Sequence, residues 1–170
     1  MTRPTKNCYW VVDGKFLAGE YPRDISEDSS KLRIKALLNA GIDCFINLTE
    51  EIEHLERYDY LVENLSDNKE IILKRFPIRD VSVSKSMEYT SEILDFIDDQ
   101  LTLNHKIYIH CMGGIGRTGT IVGCWLSRHG YKGEKALGKL KELWVHNEKS
   151  EWCNSPETPT QENYIIHWSE

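Results

Sequence analysis

At 170 residues the chain has the length of one ordinary domain, enough to bury roughly two-thirds of its unfolded surface without disulfide or metal staples. Its 21 basic and 27 acidic residues leave a net charge of -6, which excludes the broad basic footprint that nucleic-acid or anionic-membrane binding needs; any anion must be held locally. No apolar run approaches the roughly 18 residues that span a bilayer, and Met1 to Asn7 lacks the apolar core of a signal peptide.

In chain order, Cys8 to Val12 and Lys15 to Ala18 read as two short strands about the Asp13-Gly14 turn. A helix is expected from Glu27 to Ala40, with Leu32, Leu37 and Leu38 on its inner face and Gly41 as its stop. Cys44 to Leu48 is a buried strand, Glu50 to Asp67 is mixed and helical in part, and Ile71 to Phe76 is a further strand. Ser84 or Ser86 caps a helix reaching Leu103, with Met87, Ile93, Leu94, Ile97 and Leu101 as its apolar stripe. Lys106 to His110 is a central strand, and a buried helix from near Arg117 runs to Leu126, before Gly130. Two last helices cover 133–146 and 158–168, around the Pro156 and Pro159 loop. Strands alternating with helices predict an α/β fold: a central, mainly parallel sheet flanked by helices, in one domain over 1–170. The cysteines at 8, 44, 111, 124 and 153, odd in number and without a CxxC pair, fit reduced thiols. A soluble, cytoplasmic monomer is the expectation.

The chemistry concentrates in His110-Cys111-Met112-Gly113-Gly114-Ile115-Gly116-Arg117-Thr118-Gly119. In an open α/β sheet, ligands sit beyond the carboxyl ends of the strands. Glycines at 113, 114, 116 and 119 let this strand-to-helix turn curl, so that backbone N–H groups of Met112, Gly113, Gly114, Ile115 and Gly116 share one concavity with the positive end of the helix dipole. A doubly charged anion suits that bowl, and the planar fork of Arg117 matches two phosphoryl oxygens. A cysteine at its base is favoured as thiolate, which makes Cys111 a candidate nucleophile. Gly114 to Gly119 also matches the dinucleotide pattern G-x-G-x-x-G, but the second strand ending in an acidic residue about 20 positions later is missing. A nucleotide-triphosphate loop lacks its Lys-Ser or Lys-Thr, and a purely structural glycine turn leaves Cys111 and Arg117 unused.

His110-Cys111-x5-Arg117-Thr118-Gly119 resembles the signature of the protein tyrosine and dual-specificity phosphatase superfamily. Phe76-Pro77-Ile78-Arg79-Asp80 is similar to the general-acid loop of its compact dual-specificity members, and Ser155 to Gln161 to a late loop whose glutamine positions the hydrolytic water. The resemblance covers about residues 42–168, with a fainter match over Gly14 to Pro22. It implies a cysteine-phosphatase fold and ping-pong hydrolysis of a phosphate monoester: Cys111 attacks phosphorus, Arg117 and the loop hold the oxygens, and Asp80 protonates the leaving group. Water, positioned by Asp80 and Gln161, then releases phosphate, while Thr118 eases departure of the sulfur and His110 organises the loop from behind. Asp80 as an ordinary loop aspartate and Gln161 as a first-turn helix residue are the plain alternatives, and Glu50 or Glu51 would be the next candidates for the acid. No metal or other cofactor is expected, since the histidines lack ligand spacing. The loop contains no lysine, which leans toward phosphotyrosine in a protein or peptide, with phosphoserine and phosphothreonine in reach of a shallow cleft. A small phosphorylated molecule, a phosphoinositide, arsenate and a non-catalytic phosphate-binding module are the rival readings.

Overall fold

The β-branched Ile107 and Ile109 alternate with Tyr108 and His110 in β5 (Ile107–His110), and all four are buried, as in a strand covered on both faces. A computed structural model describes residues 2–170; Met1, the first residue of the segment read for a leader, lies outside the described residues. β5 is the middle strand of a five-stranded sheet of order β1-β2-β5-β3-β4, in which β1 is Cys8–Val12, β2 Phe16–Gly19, β3 Cys44–Asn47 and β4 Ile72–Arg75. Strands β2 to β5 are mutually parallel, and β1 returns antiparallel to β2, with Gly14 supplying a φ of 69° in their turn. The α/β architecture with a mainly parallel sheet is therefore as expected.

Side-chain alternation sorts the core into two layers. Phe16, Ala18, Ile46, Ile107 and Ile109 face helices α3 (Met87–Thr102), α4 (Gly116–Arg128), α5 (Glu134–Trp144) and α6 (Pro159–His167). Leu17, Phe45 and Tyr108 face α1 (Glu27–Asn39) and α2 (Asp59–Leu65). Ser86 is the cap of α3, its side chain accepting from the Tyr89 N–H, and Ile93, Leu94 and Ile97 are fully buried.

Two parts of the expected pattern need correction. In α1 the buried residues are Ser30, Ile34 and Leu37, while Leu32 is exposed, because 30, 34 and 37 follow the i, i+4, i+7 spacing that 32 breaks. Met87 likewise lies on the outer side of its helix. The mixed stretch after β3 resolves into a 3-10 turn at Glu51–Glu53 and then α2. No helix among the described residues is long and apolar enough to cross a membrane.

Candidate active site

Asn47 of β3 and Gly19 of β2 both pair in register with His110, so the chain leaving β5 at Cys111 is flanked by the ends of two neighbouring strands. The turn from Cys111 to Gly116 then bends into α4. Five of its carbonyls are fastened by surrounding groups. That of Cys111 accepts from His110 Nδ1 (3.1 Å), Met112 from the Tyr21 N–H (2.9 Å), and Gly113 from Lys149 Nζ (2.8 Å). That of Ile115 accepts from Ser155 Oγ (2.8 Å) and that of Gly116 from Thr120 Oγ1 (2.9 Å). A trans peptide sets each carbonyl opposite the following N–H. Each fastened carbonyl therefore leaves the N–H of the following residue, 112, 113, 114, 116 or 117, on the opposite side of its peptide; the N–H of Ile115, which was also expected in the bowl, follows a carbonyl without such a tie. Gly114 is required twice: its φ is 72°, and a Cβ there would come within 2.4 Å of the Gly19 carbonyl.

Cys111 and Arg117 are both buried. Arg117 Nη1 donates to Glu53 Oε1 (2.6 Å) and to the Ile78 carbonyl (3.1 Å). Its Nη2 donates to Glu53 Oε2 (3.0 Å) and pairs with Asp80 Oδ1 (2.8 Å). Three hydrogen bonds thus leave the two Nη atoms, with Asp80 held to Nη2 by charge, whereas Arg117 Nε and Thr118 Oγ1 are buried with no partner among the described residues. Burial pushes the Glu53 carboxyl up, but the hydrogen bonds and charge of Arg117 and the Glu50 N–H outweigh it and hold Glu53 below the ordinary carboxylate range. The same pair keeps Arg117 charged against its own desolvation.

His110 is wholly buried, and burial drives its pKa down to about 3, so the ring is neutral. With Nδ1 donating to the Cys111 carbonyl, Nε2 accepts from the Tyr58 hydroxyl at 2.7 Å. That geometry fits a ring supporting the loop from behind.

Beyond β4 the chain still pairs with the β3 end, Phe76 N–H to Asn47 and Ile78 N–H to Leu48, which delivers the Pro77–Asp80 segment over Arg117. Asp80 is the more exposed partner, its side chain 55% accessible. The next residue, Val81, has a φ of 55°, a strained setting for a β-branched side chain. The loop is held on either side of it: Asp80 by Arg117, and the Ser82 carbonyl by Gln161 Nε2 at 3.0 Å. Gln161 is fully buried, and its Oε1 accepts from the N–H groups of Glu157 and Thr158 in a capping box. It is thus a helix-start residue, and it also lies against the loop, since a Cβ on Gly116 would stand 2.9 Å from its Nε2.

The structure brings Cys111, the loop 112–116, Arg117, Thr118, Asp80 and Gln161 to one place. Glu50 and Glu51, the reserve acids, do not reach Arg117; Glu51 pairs with Arg75. Sequence reasoning missed Glu53, Tyr58 and Lys149, and named Ser155 only as the start of the late loop, without its bond to the Ile115 carbonyl. Only Glu53 carried a signal, as the residue three places after a helix-start Glu50.

This is the architecture of the cysteine phosphatases. A kinase associated phosphatase with serine in place of its catalytic site cysteine shares the fold, with a TM-score of 0.74 at 18% identity over 97% of this chain and 93% of its own. Residues 21–131 match the family model described as a polymorphic toxin system DSP-PTPase phosphatase, and the chain belongs to that family. Putative tyrosine phosphatase 067L of Invertebrate iridescent virus 3 is 29% identical over 167 residues, 92% of this chain and 62% of that protein. The Arabidopsis thaliana phosphatidylinositol 3,4,5-trisphosphate 3-phosphatase and protein-tyrosine-phosphatase PTEN1 is 28% identical over 122 residues, 69% of this chain. The chain spans about three-fifths of the viral relative's length and 28% of the plant relative's.

Proposed function

We propose that the chain is a cysteine-dependent phosphatase of one domain, hydrolysing phosphate monoesters through a phosphocysteine at Cys111, with phosphotyrosine in proteins or peptides as its main substrate. The observation that carries this reading is a buried Cys111 at the start of a turn whose carbonyls are tied to surrounding groups, with a buried, carboxylate-held Arg117 close enough to feel its charge. On this reading, Cys111 Sγ forms its bond to phosphorus as the bond to the ester oxygen breaks. The leaving oxygen takes its proton from Asp80, and water then displaces the thiolate to give inorganic phosphate. Thr118, with its free hydroxyl, stabilises the leaving sulfur, and Gln161 acts by bracing the acid loop and lying beside the water's approach.

The choice of substrate follows from charge. Glu53, Asp80 and the exposed Glu157 stand around the mouth, and the exposed loop side chain is the apolar Met112. A phosphoinositide carrying several phosphates would meet repulsion there, whereas one phosphate on an aromatic ring would not. A cytoplasmic, monomeric enzyme is part of the same proposal, supported by five unpaired cysteines, four of them buried. The test is hydrolysis of para-nitrophenyl phosphate by wild type and Cys111→Ser, followed by phosphopeptides set against phosphoinositides. Cys111→Ser is expected to lose several powers of ten in turnover with an intact fold. Retention of more than about a hundredth of the activity would contradict a covalent cysteine mechanism, and a preference for phosphoinositides would overturn the substrate.

A further inference from the structure

The Gly113-Gly114 peptide of the bowl joins two residues without side chains to hold it. Its carbonyl is the one fastened by a charge: Lys149 Nζ, 2.8 Å away, reaches it from the 3-10 turn Glu148–Glu151. The same Nζ pairs with Glu20 Oε2 at 2.8 Å, and Glu20 Oε1 takes Arg33 Nη1 at 2.9 Å and Asn7 Nδ2 at 3.0 Å. Lys149 and Glu20 are largely shielded, their side chains 17% and 12% exposed. Asn147 fixes the base of the lysine by accepting from the Lys149 N–H at 3.0 Å. Segment 19–21 lies directly beneath the loop, with the Gly19 carbonyl against Gly114 and the Tyr21 N–H on the Met112 carbonyl.

We propose that Lys149, held by Glu20, is a positioning residue for phosphate binding: by pinning the Gly113 carbonyl outward it keeps the Gly114 N–H directed at the phosphoryl oxygens. The inference rests on the reading of Cys111–Arg117 as a phosphate loop. A trans peptide cannot turn its carbonyl without turning its N–H. With Lys149 removed, the Gly113-Gly114 unit is free to rotate, and its N–H is lost to substrate and product alike. Glu20 does two things here. It orients the ammonium, and it offsets a positive charge that would otherwise be desolvated without a partner.

The test uses Lys149→Met, which keeps the aliphatic stem, with Lys149→Arg and Glu20→Gln beside it. For Lys149→Met, KM for para-nitrophenyl phosphate and the inhibition constant of inorganic phosphate should rise together, by about ten- to a hundredfold, the worth of a charged hydrogen bond, with a smaller change in kcat. Lys149→Arg should recover most of the loss, and Glu20→Gln should move both constants the same way by less. A lysine that only supported the fold would lower the melting temperature and leave KM and phosphate inhibition of the remaining folded enzyme unchanged. That result, in Lys149→Met or in Glu20→Gln should the first not fold, overturns the proposal. Wild-type alkylation by iodoacetate separates the underlying reading: labelling of Cys111 that phosphate does not slow would remove the phosphate loop itself, whatever Lys149 does.

Discussion

Asp80 pairs by charge with Arg117 Nη2, an atom that in the proposed mechanism an incoming phosphoryl oxygen also needs. Nη1 is committed to Glu53 and the Ile78 carbonyl, so on the proposed mechanism the phosphoryl group would gain the arginine through Nε and by displacing Asp80 from Nη2. Displacement would leave the carboxyl free for its proposed role as the acid that protonates the ester oxygen. Asp80→Asn is accordingly expected to have two opposite effects. Hydrolysis of alkyl phosphates should slow by roughly 10²–10⁴, with far less loss for substrates whose leaving group needs no proton. Inorganic phosphate should inhibit the variant at lower concentration than wild type, because an anionic competitor for Arg117 is gone. Equal losses on both substrate types would move the acid elsewhere. Cys111, Arg117 and Asp80 were legible in the sequence as candidates, because the proposed chemistry calls for those residue types at short spacings from glycines and prolines, and the structure brings them together. Glu53 was not. Among Glu50, Glu51 and Glu53, only the tightness of a three-residue turn decides which carboxylate faces an arginine 64 positions away.

At the scale of elements, the entry to α4 is shaped by what it packs against. A Cβ on Gly119 would meet Ser155 Oγ at 2.1 Å and Pro156 at 3.3 Å, and Ser155 is the residue that ties down the Ile115 carbonyl. Gly119→Ala should therefore push Ser155 away, loosen the bowl, and raise KM and the phosphate inhibition constant. Gly138, inside α5, has nothing within 4 Å of an added Cβ. Gly138→Ala should leave kinetics alone and stabilise the protein by about 0.5–1 kcal/mol, a helix-propensity effect that urea titration resolves. If both alanines behaved alike, packing against Ser155 would not matter to the site. The helices themselves were readable from caps and spacing, as at Ser86 and Thr158. The inner face of α1 was misread because Leu32 is apolar yet out of step with Ile34 and Leu37; hydrophobicity alone does not say which stripe a sheet covers.

For the molecule as a whole, acid is the informative stress. His110 is held at about 3 in the fold against an ordinary 6.5, so the unfolded chain binds a proton that the native one refuses. Stability is then complete above about pH 6.5 and falls by roughly 1.4 kcal/mol per pH unit from this group as pH drops toward 3. Glu53, depressed by Arg117, adds a loss of the same sign below the ordinary carboxylate range. Urea midpoints between pH 7 and 5 should decline, and in His110→Asn that part of the decline should vanish; a flat wild-type profile would contradict a buried neutral ring. The fold class was legible from strand and helix alternation, but the strand order was not, because pairing across the sheet is decided by distant segments and leaves no local trace. That order has a consequence for synthesis. β5 sits between β2 and β3, and β2 pairs with residues about ninety positions later. On the ribosome the first hairpin must wait, one edge unsatisfied, until β5 emerges and slots between its neighbours. Any product ending before Ile107 has no strand to fill that gap, so an arrested or clipped chain is expected to expose unpaired strand edges and to pair with other chains.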